Sequence, residues 1–248
     1  MPIYTAEAVI LRKVDYGEAD RILTLLTRER GKVPAIAKSV RKSKSRMSGQ
    51  LDVFAHGRML LAEGRTMDVV TQFQRITENS ALGSDLKRAA VASVVVEVAD
   101  KIMEERHAAP EMFTLVVDAL THLSDREVPP LTELADFLMR VLAELGYTPE
   151  LSRCARCGGP LGEEGLAFSA LAGGVVCNAC SHHDMPARAI STRSVKILRV
   201  LAAGDRELFF RLRLEEADNR AIESVLEAQL EHHLDRQLKS IDFLRRVH

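Results

Sequence analysis

Cys154, Cys157, Cys177 and Cys180 are the only cysteines of this chain, and they fall in two Cys-x-x-Cys pairs. Two residues between ligands let one tight turn present two thiolates to a single ion. A second such turn completes the tetrahedron of sulfurs that Zn²⁺ accepts. Gly158 and Gly159 follow the first pair, and Gly173 and Gly174 precede the second, so both turns have residues that tolerate a positive φ. The competing readings are redox dithiols and disulfides. Redox pairs usually come singly at a strand-to-helix turn. Disulfides need an exporting signal, and the opening run MPIYTAEAVILRK has none. The spacing therefore predicts one structural zinc. Four thiolates leave no open position for a catalytic water, and the His-x-Glu of zinc deaminases is absent. His182 and His183 lie close to the second pair and read as solvated loop histidines.

At 248 residues the chain can form one large domain or two to three smaller ones. Its core must be built mostly from Leu, Val, Ala and Ile, because aromatics are only 4% and Trp is absent. No apolar run approaches the ~20 residues needed to span a bilayer, so no membrane partner is expected; with no exporting signal and with metal-spaced cysteines, the cytoplasm is the expected compartment. The net charge of −1 hides an asymmetry. Residues 1–80 carry fourteen Lys and Arg against nine Asp and Glu, whereas residues 81–153 carry seven against thirteen. A basic first part on an acidic body suggests a module that faces a polyanion.

The first eighty residues read as β. Strand-like runs cover Thr5–Val14, Asp20–Thr27, Lys32–Lys38, Leu51–Ala62 and Met67–Ile76. Pro34 cannot donate to a ladder, so its strand belongs at an edge or carries a bulge. Five short strands in this length fit a small barrel of the OB type; an SH3-like barrel satisfies the pattern as well. From Ser84 the period becomes helical. Leu86, Ala90, Val94, Val98 and Ile102 share one face, and Phe113, Val116, Val117, Leu120 and Leu123 another. After Pro129-Pro130, Thr132 is placed to cap a helix that Gly146 ends; Ser191 is placed to cap one ending near Gly204. A last stripe runs from Ile222 to Leu238. The predicted organisation is α+β and multi-domain. A barrel over residues 1–80 precedes an all-helical domain over 81–248, which carries a zinc-finger insertion at about 150–185.

Between Arg30 and Asp52 there is no acidic residue. That window holds Lys32, Lys38, Arg41, Lys42, Lys44 and Arg46, interspersed with Ser39, Ser43, Ser45 and Ser48. Cations neutralise phosphates while hydroxyls and backbone N–H groups donate to their oxygens. A loop there on an OB barrel can wall a groove that tracks a nucleic-acid strand, with Arg12, Lys13 and Arg21 nearby. The bland alternative is a solvated loop. Tyr4, Tyr16, Phe54 and Phe73 are the module's only aromatics, so base stacking is expected to be a minor term. No Gly-rich phosphate loop, His-Glu-x-x-His or Gly-x-Ser-x-Gly elbow occurs, and no catalytic residue is assigned. Asp15, Glu18 and Asp20 read as a hydrophilic hairpin turn rather than a metal-nuclease cluster.

The run Tyr16-Gly17-Glu18-Ala19-Asp20-Arg21, then Leu25-Leu26-Thr27, Gly31-Lys32, Ala37-Lys38 and the basic Ser-rich loop through Ser45-Arg46, resembles the start of bacterial RecO proteins, and the order of modules agrees along essentially the whole chain. The resemblance implies a recombination and repair mediator without a chemical step. It implies an OB-fold that binds single- and double-stranded DNA, annealing of complementary strands, and help in loading RecA onto strands coated with single-strand binding protein in the RecF pathway. The implied partners are RecR and the acidic C-terminal tail of the single-strand binding protein, with RecA engaged indirectly and the protein associated with the nucleoid. Lys38, Arg41, Lys42, Lys44 and Arg46 match the family's basic barrel loop, and the four cysteines match its zinc ligands. The tail-binding residues are not assigned. Two features depart from the family: the near-neutral charge, and Ser39, where relatives often carry Gly after the Ala-Lys pair, which predicts a different backbone path. Two other classes fit parts of the pattern, a zinc-ribbon factor associated with RNA or transcription and a protein-interaction scaffold that does not touch DNA.

Overall fold

The structure, a computed structural model, describes residues 2–42, 45, 47–182, 187–234 and 237–247. The chain divides into two compact units, Met1–Val128 with Leu238–His248, and Pro129–Gln237. The change of hydrophobic period near residue 84 marks the end of the strands, and the packing boundary falls later, after Val128.

The first unit opens with strands β1 (Ile3–Tyr16), β2 (Asp20–Thr27), β3 (Gly31–Ala37), β4 (His56–Ala62) and β5 (Asp68–Thr77), followed by helices α1 (Ser80–Ser84), α2 (Leu86–Ile102) and α3 (Pro110–Ser124). β1 is long enough to pair twice. Its first half lies antiparallel to β4 (Ile3↔Ala62 to Val9↔His56) and its second half antiparallel to β2 (Ala8↔Thr27 to Tyr16↔Asp20). A register shift between Ile10 and Arg12 lets the strand bend from one partner to the other. The order β1-β2-β3-β5-β4 returns to β1, and the ring is completed where β3 and β5 run parallel over only two pairs, Ala35↔Asp68 and Ile36↔Val69. Pro34 sits beside that seam, in the gap between it and a bridge from Lys32 to Glu105, so its missing N–H costs β3 no bond on that edge.

Alternation fills the barrel. Ala6, Ala8, Ile10, Leu23, Leu25, Val33, Ala35, Ala37, Met59 and Leu61 form one buried cluster. Val9 and Leu26, of opposite parity, are equally buried, because α2 packs on β1 and β2. The expected strand at Leu51–Ala62 begins only at His56. Residues 52–55 turn, Phe54 adopts φ +72°, and Leu51 is buried in the barrel core instead of joining a ladder.

The seam is held by a buried carboxylate. The side chain of Asp68 is fully buried and accepts from the Tyr4 hydroxyl, the Gly64 N–H at 3.1 Å and Arg106 Nη2 at 3.0 Å. Burial alone would raise the Asp68 pKa, but these donors outweigh it and the carboxyl is held below its ordinary value. Burial and the adjacent Asp68 raise the Tyr4 pKa, which keeps its hydroxyl a donor.

α2 is apolar nearly all round, as a central helix must be. The expected stripe is accordingly too narrow: Val91, Val95 and Val96 are buried too, whereas Leu86 is exposed. Asp85 caps its N-terminus by accepting from Lys87 and Arg88 N–H. The buried Arg88 donates to the carbonyls of Leu123, Asp125 and Arg126 at 3.0, 2.7 and 2.7 Å, satisfying groups left over at the end of α3.

The second unit contains α4 (Pro130–Glu144), β6 (Ala167–Ser169), β7 (Gly174–Val176), α5 (Asn178–Ser181), β8 (Arg188–Ala189), α6 (Thr192–Ala202), α7 (Arg206–Arg211) and α8 (Glu216–Leu234). α4 packs on α6 and α8. Its start differs from the expectation. Pro129 is the N-cap, Pro130 holds the first helical position, and Thr132 is buried inside the first turn. Its end is as read: Gly146 takes φ +77°, and the N–H groups of Gly146 and Tyr147 bond back to Ala143 and Leu142. Ser191 caps α6 by accepting the Ser194 N–H at 2.9 Å. No sequence pattern marks α7; Arg206 at its start pairs with the buried Asp136 of α4 at 2.8 Å.

The stripe read as running to Leu238 ends as helix at Leu234, and Leu238 precedes a further helix, α9 (Lys239–Val247), in the first unit. α9 packs on α2 and buries Ile241 and Leu244. Glu97 of α2 caps it, accepting the N–H groups of Lys239 at 3.1 Å and Ser240 at 2.7 Å.

Replacing Asp68 by Asn should destabilise the first unit by about 2 kcal/mol at neutral pH. A carboxylate with a depressed pKa stabilises above its unfolded value of ~3.9 and loses that contribution as pH falls through the folded value. Urea midpoints should therefore drop less between neutral pH and pH ~3 in D68N than in the parent chain.

Candidate metal centre and nucleic-acid interface

The second unit brings the four cysteines together. Their Sγ atoms all lie within 4.8 Å of one another, and those of Cys157 and Cys177 are 4.0 Å apart. A tetrahedron with Zn–S of ~2.3 Å has edges of about 3.8 Å. The backbone builds this cluster. Gly158, at φ +71°, turns the first knuckle so that its N–H reaches the Cys154 carbonyl at 2.8 Å. Gly173, at φ +76°, turns the chain into β7, whose Val175 carbonyl accepts the Ala155 N–H at 2.8 Å and so ties one knuckle to the strand that leads into the other. Gly159 and Gly174 are not left-handed. Cys177 stands at the N-cap of α5, and its N–H lies 3.4 Å from Cys154 Sγ.

Burial raises the pKa of Cys154, but N–H donors from Cys157, Cys177 and Arg156 more than reverse it and bring the thiol down to about 6. Cys180 is pushed up to about 12 by burial and by the sulfurs of Cys177, Cys157 and Cys154. The Cys154 thiol ionises readily, and a charge on Cys180 is resisted unless a cation sits among the four. The donor set therefore fits a single divalent ion with no open coordination position, which would cross-link the knuckles and supply no reaction chemistry. His182 is exposed and outside the cluster; His183 lies outside the described residues.

The basic segment leaves the barrel after β3. Val40 and Leu51 are buried in the barrel core, with Met47 packed against it, so the segment is tied down at intervals by apolar side chains. Lys38 and Lys42 are exposed and make no ion pair among the described residues. Arg41 is clamped: its N–H donates to the Ala19 carbonyl at 2.9 Å, Nη1 donates to the Gly17 carbonyl at 3.3 Å, and Nε lies 3.4 Å from Asp15. Lys44 and Arg46 lie outside the described residues. The remaining candidates are engaged elsewhere. Arg21, 16% exposed, pairs with Asp15 at 3.1 Å and donates to the Leu51 carbonyl. Lys32, 17% exposed, pairs with Asp100 of α2 at 3.4 Å, and Arg12, 63% exposed, reaches the same carboxylate at 3.4 Å. Lys13 pairs with Asp52.

The Asp15–Asp20 run is a hairpin turn, as read, with a further role. The Asp20 carboxylate accepts the Ser39 N–H at 2.7 Å, nineteen residues along the chain. Ser39 adopts φ +55°, in the left-handed region that favours glycine. The Glu-Ala-Asp-Arg run identified Asp20 as a turn residue, but no pattern connected it to Ser39.

Comparison with known proteins fits this arrangement. The family described as "Recombination protein O N terminal" matches residues 1–78, and "Recombination protein O C terminal" matches residues 83–242. The chain is 39% identical to the DNA repair protein RecO of Frankia casuarinae over the whole of both chains. It is 39% identical to that of a Nocardioides species over 98% of this chain and all of the relative, and 35% identical to that of a Roseiflexus species over 98% of this chain and 85% of the relative. These matches over both parts of the chain, a five-stranded barrel and a helical remainder with its four-cysteine cluster, place it in a class of two-part DNA repair proteins. The chain belongs to the RecO family.

Metal analysis of the purified protein should return a single divalent ion per chain. Cys154→Ser should release it and lower the melting temperature by several degrees, with affinity for DNA nearly unchanged.

Proposed function

We propose that this chain is a non-enzymatic mediator of DNA repair and recombination. Residues 1–80 form its DNA-binding module, which holds single- and double-stranded DNA by phosphate contacts. The helical remainder, 81–248, carries one structural zinc on Cys154, Cys157, Cys177 and Cys180. Lys38, Arg41 and Lys42 contact phosphates first, with Lys44 and Arg46 on the same segment; Arg12, Arg21 and Lys32 contribute charge from within their ion pairs. Holding two strands by their phosphates lowers their mutual repulsion and leaves pairing edges free, which favours annealing. No bond is made or broken. The protein then assists RecA loading onto strands coated with single-strand binding protein, together with RecR, in the cytoplasm at the nucleoid. No helix among the described residues is long and apolar enough to cross a membrane.

The observation that carries this reading is the pair of exposed lysines, Lys38 and Lys42, which make no ion pair among the described residues, beside a clamped Arg41 on a segment with no acid between Arg30 and Asp52. Fluorescence anisotropy of a labelled single strand across a salt series tests it. Three to four phosphate contacts give a slope of log K against log salt of about −2 to −3. The double reversal Lys38→Glu, Lys42→Glu should weaken binding by about tenfold or more and flatten the slope. A reversal without effect on affinity or slope would assign DNA contact elsewhere.

A second surface suits the acidic tail of the single-strand binding protein. In the second unit, a groove of about 540 Å³ is lined by Arg193, Lys196, Ile197, Leu212, Arg213 and Leu214. Arg193 is fixed by Asp218 at 2.8 Å, while Lys196 and Arg213 are exposed at the rim. An acidic peptide with an apolar end would satisfy both the rim and the floor. Lys196→Glu with Arg213→Glu should weaken binding of such a peptide by about tenfold or more in calorimetry, leaving single-strand binding in place.

A further inference from the structure

The phosphate-contact reading leaves part of the barrel surface without a role. Leu23 and Ala35 fill the barrel and Lys13 is paired in their row, so the neighbours Val14, Ile22 and Ile36 lie on the outer face. Val14 is paired with Ile22 and Ile22 with Ile36; Tyr16, two residues beyond Val14, is paired with Asp20 at the mouth of the hairpin. Toward Val9 and Leu26 this outer face is buried, but near the hairpin it is open: Val14 is 52% and Tyr16 57% exposed, and Ile22 and Ile36 are half-buried. Among the described residues the Tyr16 hydroxyl has no hydrogen-bond partner and its ring no aromatic neighbour.

The rim of this patch carries three cations, of which Arg12 and Arg41 are ion-paired to Asp100 and Asp15 while Lys38 makes no ion pair among the described residues. Arg12 lies on the same face of β1, Lys38 follows Ile36 with the same parity, and Arg41 is bonded to Gly17 and Ala19, the residues that turn the chain just after Tyr16. An apolar floor with one free aromatic ring, beside Lys38 and the guanidinium donors of Arg12 and Arg41, matches a single nucleic-acid strand, whose bases present apolar faces and whose phosphates carry the charge. A duplex hides those faces in its own stack.

We propose that Tyr16 is a base-stacking platform and that Val14, Ile22 and Ile36 form the floor beside it, so that single-stranded DNA lies with bases on this face and phosphates toward Lys38, Arg41 and Lys42. The inference rests on the DNA-binding reading above and deepens it: the site distinguishes a strand with bases from a bare phosphate chain.

The test uses the full chain and two labelled oligonucleotides of equal length, one normal and one with abasic residues throughout its centre. The parent protein should bind the normal strand about tenfold more tightly. Tyr16→Ala should remove most of that preference while leaving the salt slope unchanged, and Tyr16→Phe should restore it. Because the chain has no Trp, Tyr16→Trp supplies a single indole whose emission should be quenched by the normal strand and not by the abasic one. Tyr16→Ala binding both strands as the parent does, with the parent's salt slope intact, would overturn the platform and leave the phosphate site standing. A parent protein that binds neither strand would overturn both readings. An unquenched indole on a strand that is bound would place the bases elsewhere.

Discussion

The double pairing of β1 is the constraint from which the first unit follows. One strand that pairs with β4 by its first half and β2 by its second must bend, and the register shift after Ile10 supplies the bend. Once bent, it brings β4 and β2 to opposite edges of a curling sheet, and β3 and β5 need only a two-pair seam to complete the ring. The seam is too short to hold by main-chain bonds alone. Asp68, with Tyr4 from β1, Gly64 from the preceding turn and Arg106 from beyond α2, supplies side-chain bonds at that point. The same geometry sets the β1–β2 hairpin against the start of the basic segment, where Asp20 holds Ser39 and Ala19 holds Arg41.

Net charge is a poor guide to this surface. Much of the barrel's positive charge is neutralised locally: Arg12 and Lys32 at Asp100, Arg21 and Arg41 at Asp15, Lys13 at Asp52. What remains for a polyanion is concentrated where no acid is available. A paired guanidinium still offers donors, but its partner must be displaced or shared, so exposed Lys38 and Lys42 should dominate the salt dependence.

Much of this was legible in the sequence because it is periodic or spaced. β2, β3 and β5 follow two-residue alternation, Gly146 and Ser191 obey helix-end chemistry, and the cysteines converge as their spacing requires. The misreadings share a cause. Leu51 is apolar and lies beside a strand, but fills the barrel from a loop. Thr132 has a capping side chain, yet Pro130 fixes the first turn earlier. The stripe from Ile222 to Leu238 keeps helical spacing across a break, because residues on both sides are buried in different units. Arg88, Glu97 and Asp20 each satisfy backbone groups far along the chain. Single side chains meeting distant N–H and C=O groups leave no period to detect.

The capping of α9 by Glu97 bears on the order of events during synthesis. The first unit is not contiguous: its last helix is translated only after the whole of Pro129–Gln237. At ~5–20 residues per second the ribosome takes on the order of 5–20 s to add that stretch. For that interval the barrel and α3 can assemble around α2, but the face of α2 that α9 packs on has no cover. The nascent chain thus carries that face uncovered until α9 emerges, a window in which a chaperone or a neighbouring nascent chain competes with α9 for the same surface.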